Sequence, residues 1–478
     1  MSSSLPRPTA KVPRRHAGLW TLFATLLVGL CWLRPAIARA GGAQNLPRTP
    51  DGEGLKVGKK SKFHAGLMLP VGVDSNIFNE ASNEGPRTGA FLYPTAWIGV
   101  GSRDVVKGVL QTPPERTSRL ADYNIGLIAG FRQFLSGDET IRTVPRFSFG
   151  SALRFSILPG RRFEIRIDDD VFRGASPGNY ESVGSAFNFN RIEHVGKLDF
   201  IARPGGGRLS LSLGYRNRYM RFGDGALSLN NHMSHGLGHE TKWRFLPKSA
   251  LVFNYDFAWT FFTDCCVSVG LGRNEDSFSH RLSGGYRGQI GKKVALDAIV
   301  GWGFGFYRDD PNGPNFNSFI GNAGISYFPT LRTILALKAY RSFSNSLFGN
   351  YFVDAGATLS AAHQFRWRMN LESAVGIIGR TYSGLSVPGE EVDFISGYAG
   401  RGADGFQARD TLFTLQTKID QPLGRIFSVG LNYTLLVDST VFSVDYVLDQ
   451  PLPDGTTEIT DTLGYLKHMA FIYGAIRI

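Results

Sequence analysis

The 478-residue sequence predicts an all-β fold: a closed antiparallel transmembrane β-barrel of about eighteen strands, with short periplasmic turns and long extracellular loops. Three observations carry that expectation. Runs of about ten to fourteen residues alternate apolar with polar or small side chains, the period of a strand whose two faces meet different environments. The connections between runs alternate long with short. Within single runs, arginine shares one face with serine and glycine while leucine holds the other.

Residues 1–40 have the layout of a secretory signal peptide. Lys11, Arg14 and Arg15 give a basic start, Gly18–Leu33 is apolar, and Ala38-Arg39-Ala40 offers a cleavage site. Cys31 follows Leu30, where a lipoprotein would carry a small residue. The segment holds six Lys/Arg and no acid, so the formal charge of +12 falls to about +6 once it is removed. A nucleic-acid partner then loses its support. Charged residues are 19%, aromatics 13%, and there are 58 glycines, a profile low in charge for a soluble enzyme. No other stretch reaches the ~18 apolar residues of a spanning helix. Cys265 and Cys266 are adjacent, so they cannot staple distant parts of the fold.

Residues 41–60 read as an extended, polar periplasmic segment, and residues 61–478 as the barrel. The first strands are expected at Lys62–Val73, Ala90–Gly101, Tyr123–Phe134, Phe147–Ile157, Phe163–Arg173 and Ile192–Ala202. Leu209–Phe222, Leu237–Phe245, Ala250–Phe261, His280–Ile290, Val294–Tyr307 and Phe319–Phe328 continue the pattern. Leu331–Phe343, Phe352–His363, Met369–Thr381, Thr411–Ile419, Phe427–Val437 and Gly464–Ile478 complete it. An even count suits a closed bacterial barrel.

Turn residues mark the short connections, among them Leu158-Pro159-Gly160-Arg161, Pro204-Gly205-Gly206-Gly207 and Gly291-Lys292-Lys293. Long polar connections fall at 74–89, 174–191, 223–236, 262–279, 308–318, 344–351, 382–410 and 438–463. Outer-membrane barrels sort their loops in this way. One long connection, 102–122, falls at a short position.

Leu209–Phe222 shows how the faces are assigned. Leu209, Leu211, Leu213, Tyr215 and Tyr219 share one side; Ser210, Ser212, Gly214, Arg216, Arg218 and Met220 share the other. An arginine facing lipid at the bilayer midplane costs about 2–4 kcal/mol, so the arginine side belongs to a wet lumen. The same reading turns Arg154, Arg166, Arg216, Arg218, Lys242, Arg244, Arg281 and Arg287 into the channel. Glu164, Asp168, Asp170, Asp256, Asp297 and Glu372 join them. Basic residues prevail, which favours anions or an acidic polymer. The competing reading is that these arginines pair with lumen acids and stiffen the wall. Asp169 is a misfit among Phe163, Ile165, Ile167 and Val171, and a bulge would re-aim it.

Val71–Phe78, "VGVDSNIF", resembles a segment common in the β-barrel porin-2 family of Gram-negative outer-membrane proteins. "WRFLPKSAL" (Trp243–Leu251), "DSFSHRLSGGYRGQI" (Asp276–Ile290), "GWGFGFYRD" (Gly301–Asp309) and "YFPTLRT" (Tyr327–Thr333) add to the likeness. Val73 departs from the family's usual tyrosine, and the last residue is Ile478 rather than the Phe or Trp typical of barrel-assembly signals. The resemblance implies an integral outer-membrane channel, commonly one that accompanies exopolysaccharide export. Its partners would be outer-membrane lipid and lipopolysaccharide, the barrel-assembly machinery, and periplasmic export components. A general diffusion porin, or a structural barrel with a filled lumen, is the alternative.

No catalytic constellation is expected, and no cofactor or metal. His235 and His239 are spaced i, i+4 but on a strand, where the helical zinc spacing does not apply. Gly301-Trp302-Gly303-Phe304-Gly305 opens no helix to cradle a phosphate. Arg308–Asn317, with its acids and asparagines, reads as a loop turn rather than a calcium site, and Glu390, Glu391, Asp393 and Asp404 as solvated loop charge. Ser210, Ser212, Gly214, Gly301, Gly303 and Gly305 leave space in the lumen, consistent with the aqueous channel that about eighteen strands enclose. A plug from 41–60 or 383–407 would close it.

Overall fold

A computed structural model describes residues 54–58, 61–80, 82, 85–102, 120–175, 190–223, 230–263, 276–308, 315–346, 350–383, 409–440, 443–447, 458–462 and 464–478. The signal segment, the 102–122 connection for the most part, Cys265-Cys266 and the 384–408 loop lie outside these residues.

The described chain is nearly all strand. β1 (Leu55–Val57), β2 (Ser61–Asp74), β3 (Gly89–Leu92), β4 (Thr95–Gly101), β5 (Ala121–Phe131) and β6 (Gln133–Leu135) come first. One short helix, α1 (Glu139–Thr143), is capped by the Asp138 carboxylate, which accepts from the Thr140 and Ile141 N–H groups. Next are β7 (Phe147–Ile157), β8 (Phe163–Ala175), β9 (Asn190–Ala202), β10 (Leu209–Phe222), β11 (His232–Leu246) and β12 (Ser249–Phe262). β13 (Ser277–Ile290), β14 (Val294–Tyr307), β15 (Phe316–Thr330), β16 (Thr333–Asn345), β17 (Tyr351–Gln364) and β18 (Asn370–Ser383) follow. β19 (Arg409–Leu423), β20 (Phe427–Thr440), a separate hairpin of β21 (Ser443–Val447) with β22 (Glu458–Thr462), and β23 (Tyr465–Arg477) complete the chain.

Each stave of the wall pairs antiparallel with the next, β20 with β23, and β23 pairs with β2, so the sheet closes into an 18-stranded barrel. Two of its staves are broken. Pro94, which has no N–H for the ladder, separates β3 from β4, and Arg132 separates β5 from β6. β1 pairs with Ser61–Phe63, beyond the point where β23 stops. All eighteen sequence-predicted strands are present, most of them extended by a few residues toward the loops. Short connections gather at one end of the barrel, here called the turn end, and the long ones, apart from the one between β4 and β5, at the other, the loop end. The connection 136–146 joins the loop end and carries α1.

Alternation fixes which side is which. Leu67, Leu69, Val71 and Val73 of β2, Leu213 and Tyr215 of β10, and Leu251, Phe253 and Tyr255 of β12 are exposed on the outside. Their neighbours in sequence turn inward, so a lipid-facing belt covers a polar wall. Among the described residues no helix is long and apolar enough to cross a membrane.

Asp169 corrects one expectation. The ladders of β8 with β7 and with β9 run without a register shift, so no bulge re-aims it. Asp169 stays on the outer face and meets the His194 imidazole at 2.8 Å. A neighbouring polar group, rather than a change of register, accommodates the charge.

Candidate functional site

The inner wall carries a charged cavity at the turn end, and at the loop end buried apolar clusters interspersed with paired charges such as Arg380–Asp354 and Lys467–Asp74. Against β8–β15 lies a cavity of about 1140 Å³ that reaches the turns at Gly160–Arg162 and Gly205–Gly207. The three glycines of the second turn all take positive φ, from 63° to 91°, which a side chain would resist. Arg166, Arg216, Lys242, Arg244, Arg287 and Asp256, all expected in the lumen, line this cavity together. Arg161, Arg162, Lys197 and Arg203 add four cations that the sequence reading did not single out.

Most of these charges are held in place. The Glu164 carboxylate, buried on β8, accepts from Arg166 Nη2 at 2.9 Å, Arg203 Nη2 at 2.8 Å and the Gly160 N–H at 2.9 Å. Lys197 Nζ lies 2.6 Å from Asp199, and Arg216 Nη1 lies 2.9 Å from Asp256. Arg287 Nε approaches Asp297 at 3.3 Å, and its Nη1 lies 3.8 Å from Glu240. Glycines on the wall make room for these pairs: a Cβ at Gly214 would lie 2.3 Å from Asp199 Oδ1, and one at Gly238 would lie 2.9 Å from Asp256 Oδ1. The pairing reading of the lumen arginines therefore holds for much of the set, while cations still outnumber acids in the cavity.

Three sequence-predicted arginines lie elsewhere on the inner wall. Arg154 pairs with Asp170 at 2.6 Å and Asp168 at 3.4 Å, and Arg218 pairs with Glu193 at 2.9 Å. Arg281 donates to the Phe343 carbonyl at 2.7 Å and lies 4.5 Å above its ring. Glu372 stands opposite Lys418 in the β18–β19 register. His235 faces outward, within 2.6 Å of the Tyr215 hydroxyl.

Toward the loop end, aromatic and aliphatic side chains form three clusters on the inner wall. Phe343 is 1% exposed and stacks on Phe316 at 4.0 Å, beside Tyr307, Ile320 and Tyr351. Gly303 and Gly305 were expected to leave space; the Phe343 and Phe316 rings occupy it. Ile378, Leu412, Leu436 and Tyr465 form a second cluster. A third brings Ile77 and Phe78 against Phe91, Tyr93, Phe134 and Ile141 of α1. Each cluster is buried by packing between neighbouring staves, which gives this level of the inner wall an apolar lining.

The "VGVDSNIF" segment builds that third cluster. Asn76, fully buried, donates to the Glu80 carbonyl at 2.7 Å and accepts from the Glu80 N–H at 2.8 Å. Glu80 in turn holds Arg87 by side chain and backbone. Lys467 of β23 donates to the Asn76 carbonyl at 2.5 Å. The motif thus folds the first long connection back onto the seam between first and last staves. Sequence reading missed this, because Lys467 is 391 residues from Asn76.

No family model matches the chain, and no curated protein sequence does. Solved structures do resemble it in fold. OpdQ of Pseudomonas aeruginosa is 9% identical, with 88% of this chain and 99% of that chain covered and a TM-score of 0.43. OpdK of the same organism, solved with vanillate, is 10% identical over 87% of this chain and 98% of that chain, at a TM-score of 0.41. The FrpB iron transporter of Neisseria meningitidis is 7% identical over 89% and 82%, at 0.45. The barrel assignment itself rests on the closed strand ladder of this chain.

Proposed function

We propose that this protein is an integral outer-membrane channel that conducts a hydrophilic cargo through its lumen, with short turns in the periplasm and long loops outside. The observation that carries the reading is the sorting of the wall: a predominantly apolar exterior, and an interior whose turn-end half is a polar cavity of about 1140 Å³. A barrel of this strand number encloses more space than its own side chains fill.

For the cargo, the reading is a polysaccharide leaving through an export system. Its support is the sequence likeness at Val71–Phe78, Trp243–Leu251 and Asp276–Ile290 to the β-barrel porin-2 family. A general diffusion porin is the second reading, favoured by the open form of the turn-end cavity, which does not require a polymer. Deleting the gene separates the two. Loss of surface polymer with unchanged uptake of small solutes supports the export conduit. Normal polymer with slowed solute uptake assigns the porin.

A further inference from the structure

We propose that the turn-end cavity is a binding site for an oligoanion, a chain carrying several carboxylates or phosphates that enters from the periplasmic side. The inference deepens the channel reading and takes its sidedness from it.

Charge is the first argument. Nine Lys/Arg line the cavity against four acids. Even with Glu164 set against Arg166 and Arg203 behind the surface, cations exceed acids by four. Low-dielectric walls concentrate such a field on whatever enters. Guanidinium groups retain their charge at any working pH, and their planar forks match carboxylate and phosphate oxygens in pairs.

Organisation is the second. Arg166 and Arg203 are fixed by one buried carboxylate that also accepts from the Gly160 N–H, so the turn and both forks are set before a ligand arrives. Pre-set donors bind with less ordering cost than free surface arginines. Arg162, Lys242 and Arg244 continue the positive surface from this anchor along the turns and the foot of β11.

Size is the third. A volume of about 1140 Å³ exceeds the ~300–1,000 Å³ of an ordinary small-molecule pocket. Single small anions would occupy a fraction of it and meet one fork at a time. A ligand with three or more charges can engage several.

Calorimetry on the purified, detergent-solubilised barrel tests the site without requiring conduction, with inorganic tripolyphosphate and trigalacturonate as separate probes. Binding of either at low salt is expected, weakening steeply as NaCl rises. Arg162→Glu with Arg244→Glu should cost at least tenfold in affinity. Arg425→Glu, an exposed turn cation outside the cavity, should change affinity less than twofold. Retention of the heat-modifiable band on electrophoresis confirms that each variant folds. A preference between the probes assigns the phosphate or the carboxylate. No binding of either probe, or binding indifferent to the Arg162/Arg244 reversal, overturns the site. A barrel that binds but does not conduct in a planar bilayer overturns the channel reading instead.

Discussion

Lys467 Nζ lies 3.2 Å from Asp74 Oδ2, across the seam where the last wall strand closes on the first. Both side chains are nearly inaccessible, at 10% and 5% exposure, so the pair is sheltered from water and salt. Asp74 also accepts from the Asn76 N–H at 3.1 Å, which links the seam to the inward-folded loop. Removing one partner of such a pair leaves a buried charge unmet.

Lys467→Met is therefore expected to destabilise the barrel by about 3–5 kcal/mol. Asp74→Asn combined with Lys467→Met should recover at least half of that loss, since neither charge then remains. The temperature at which the heat-modifiable band shifts on electrophoresis reads both. A single variant as stable as the parent would show that the seam is held elsewhere.

Phe343 is the centre of one loop-end cluster on the inner wall. Its ring fills the space above Gly303 and Gly305 and carries Arg281 on its face. Phe343→Ala is expected to raise single-channel conductance in a planar bilayer while costing about 3–5 kcal/mol of stability. Unchanged conductance in a folded variant would show that this cluster does not limit flow.

Ion selectivity follows from the charge excess. The parent channel should prefer anions in a KCl gradient. Arg216→Glu sets a carboxylate beside Asp256, which is 2.9 Å from Arg216 Nη1, and should move the reversal potential toward potassium. Arg218→Glu, outside the cavity and paired with Glu193, should move it less. Equal shifts, or none, would remove the cavity from the conduction path.

Sidedness has its own test. With Cys265 and Cys266 replaced by serine, Ser182→Cys in a long connection should react with an impermeant maleimide on whole cells. Gly206→Cys, in a short turn, should react only after the outer membrane is permeabilised. The reverse pattern would invert the barrel in the membrane.

Sequence alone determined the wall. Period-two alternation depends only on the geometry of an extended chain, so strand number, strand position and the inward set of Arg216, Arg218 and Asp256 were all legible. Loop lengths then sorted the two ends. Tertiary structure decided what the wall surrounds. Glu164 reads as one more lumen acid until β8 and the turn at Arg203 bring two guanidiniums to it. Asp74 and Lys467 meet only because the sheet closes, which no local pattern encodes. Gly303 and Gly305 signal space, yet a strand two staves away supplies the ring that fills it. Alternation assigns a side chain to a face. Only closure of the sheet determines which distant side chain it meets there.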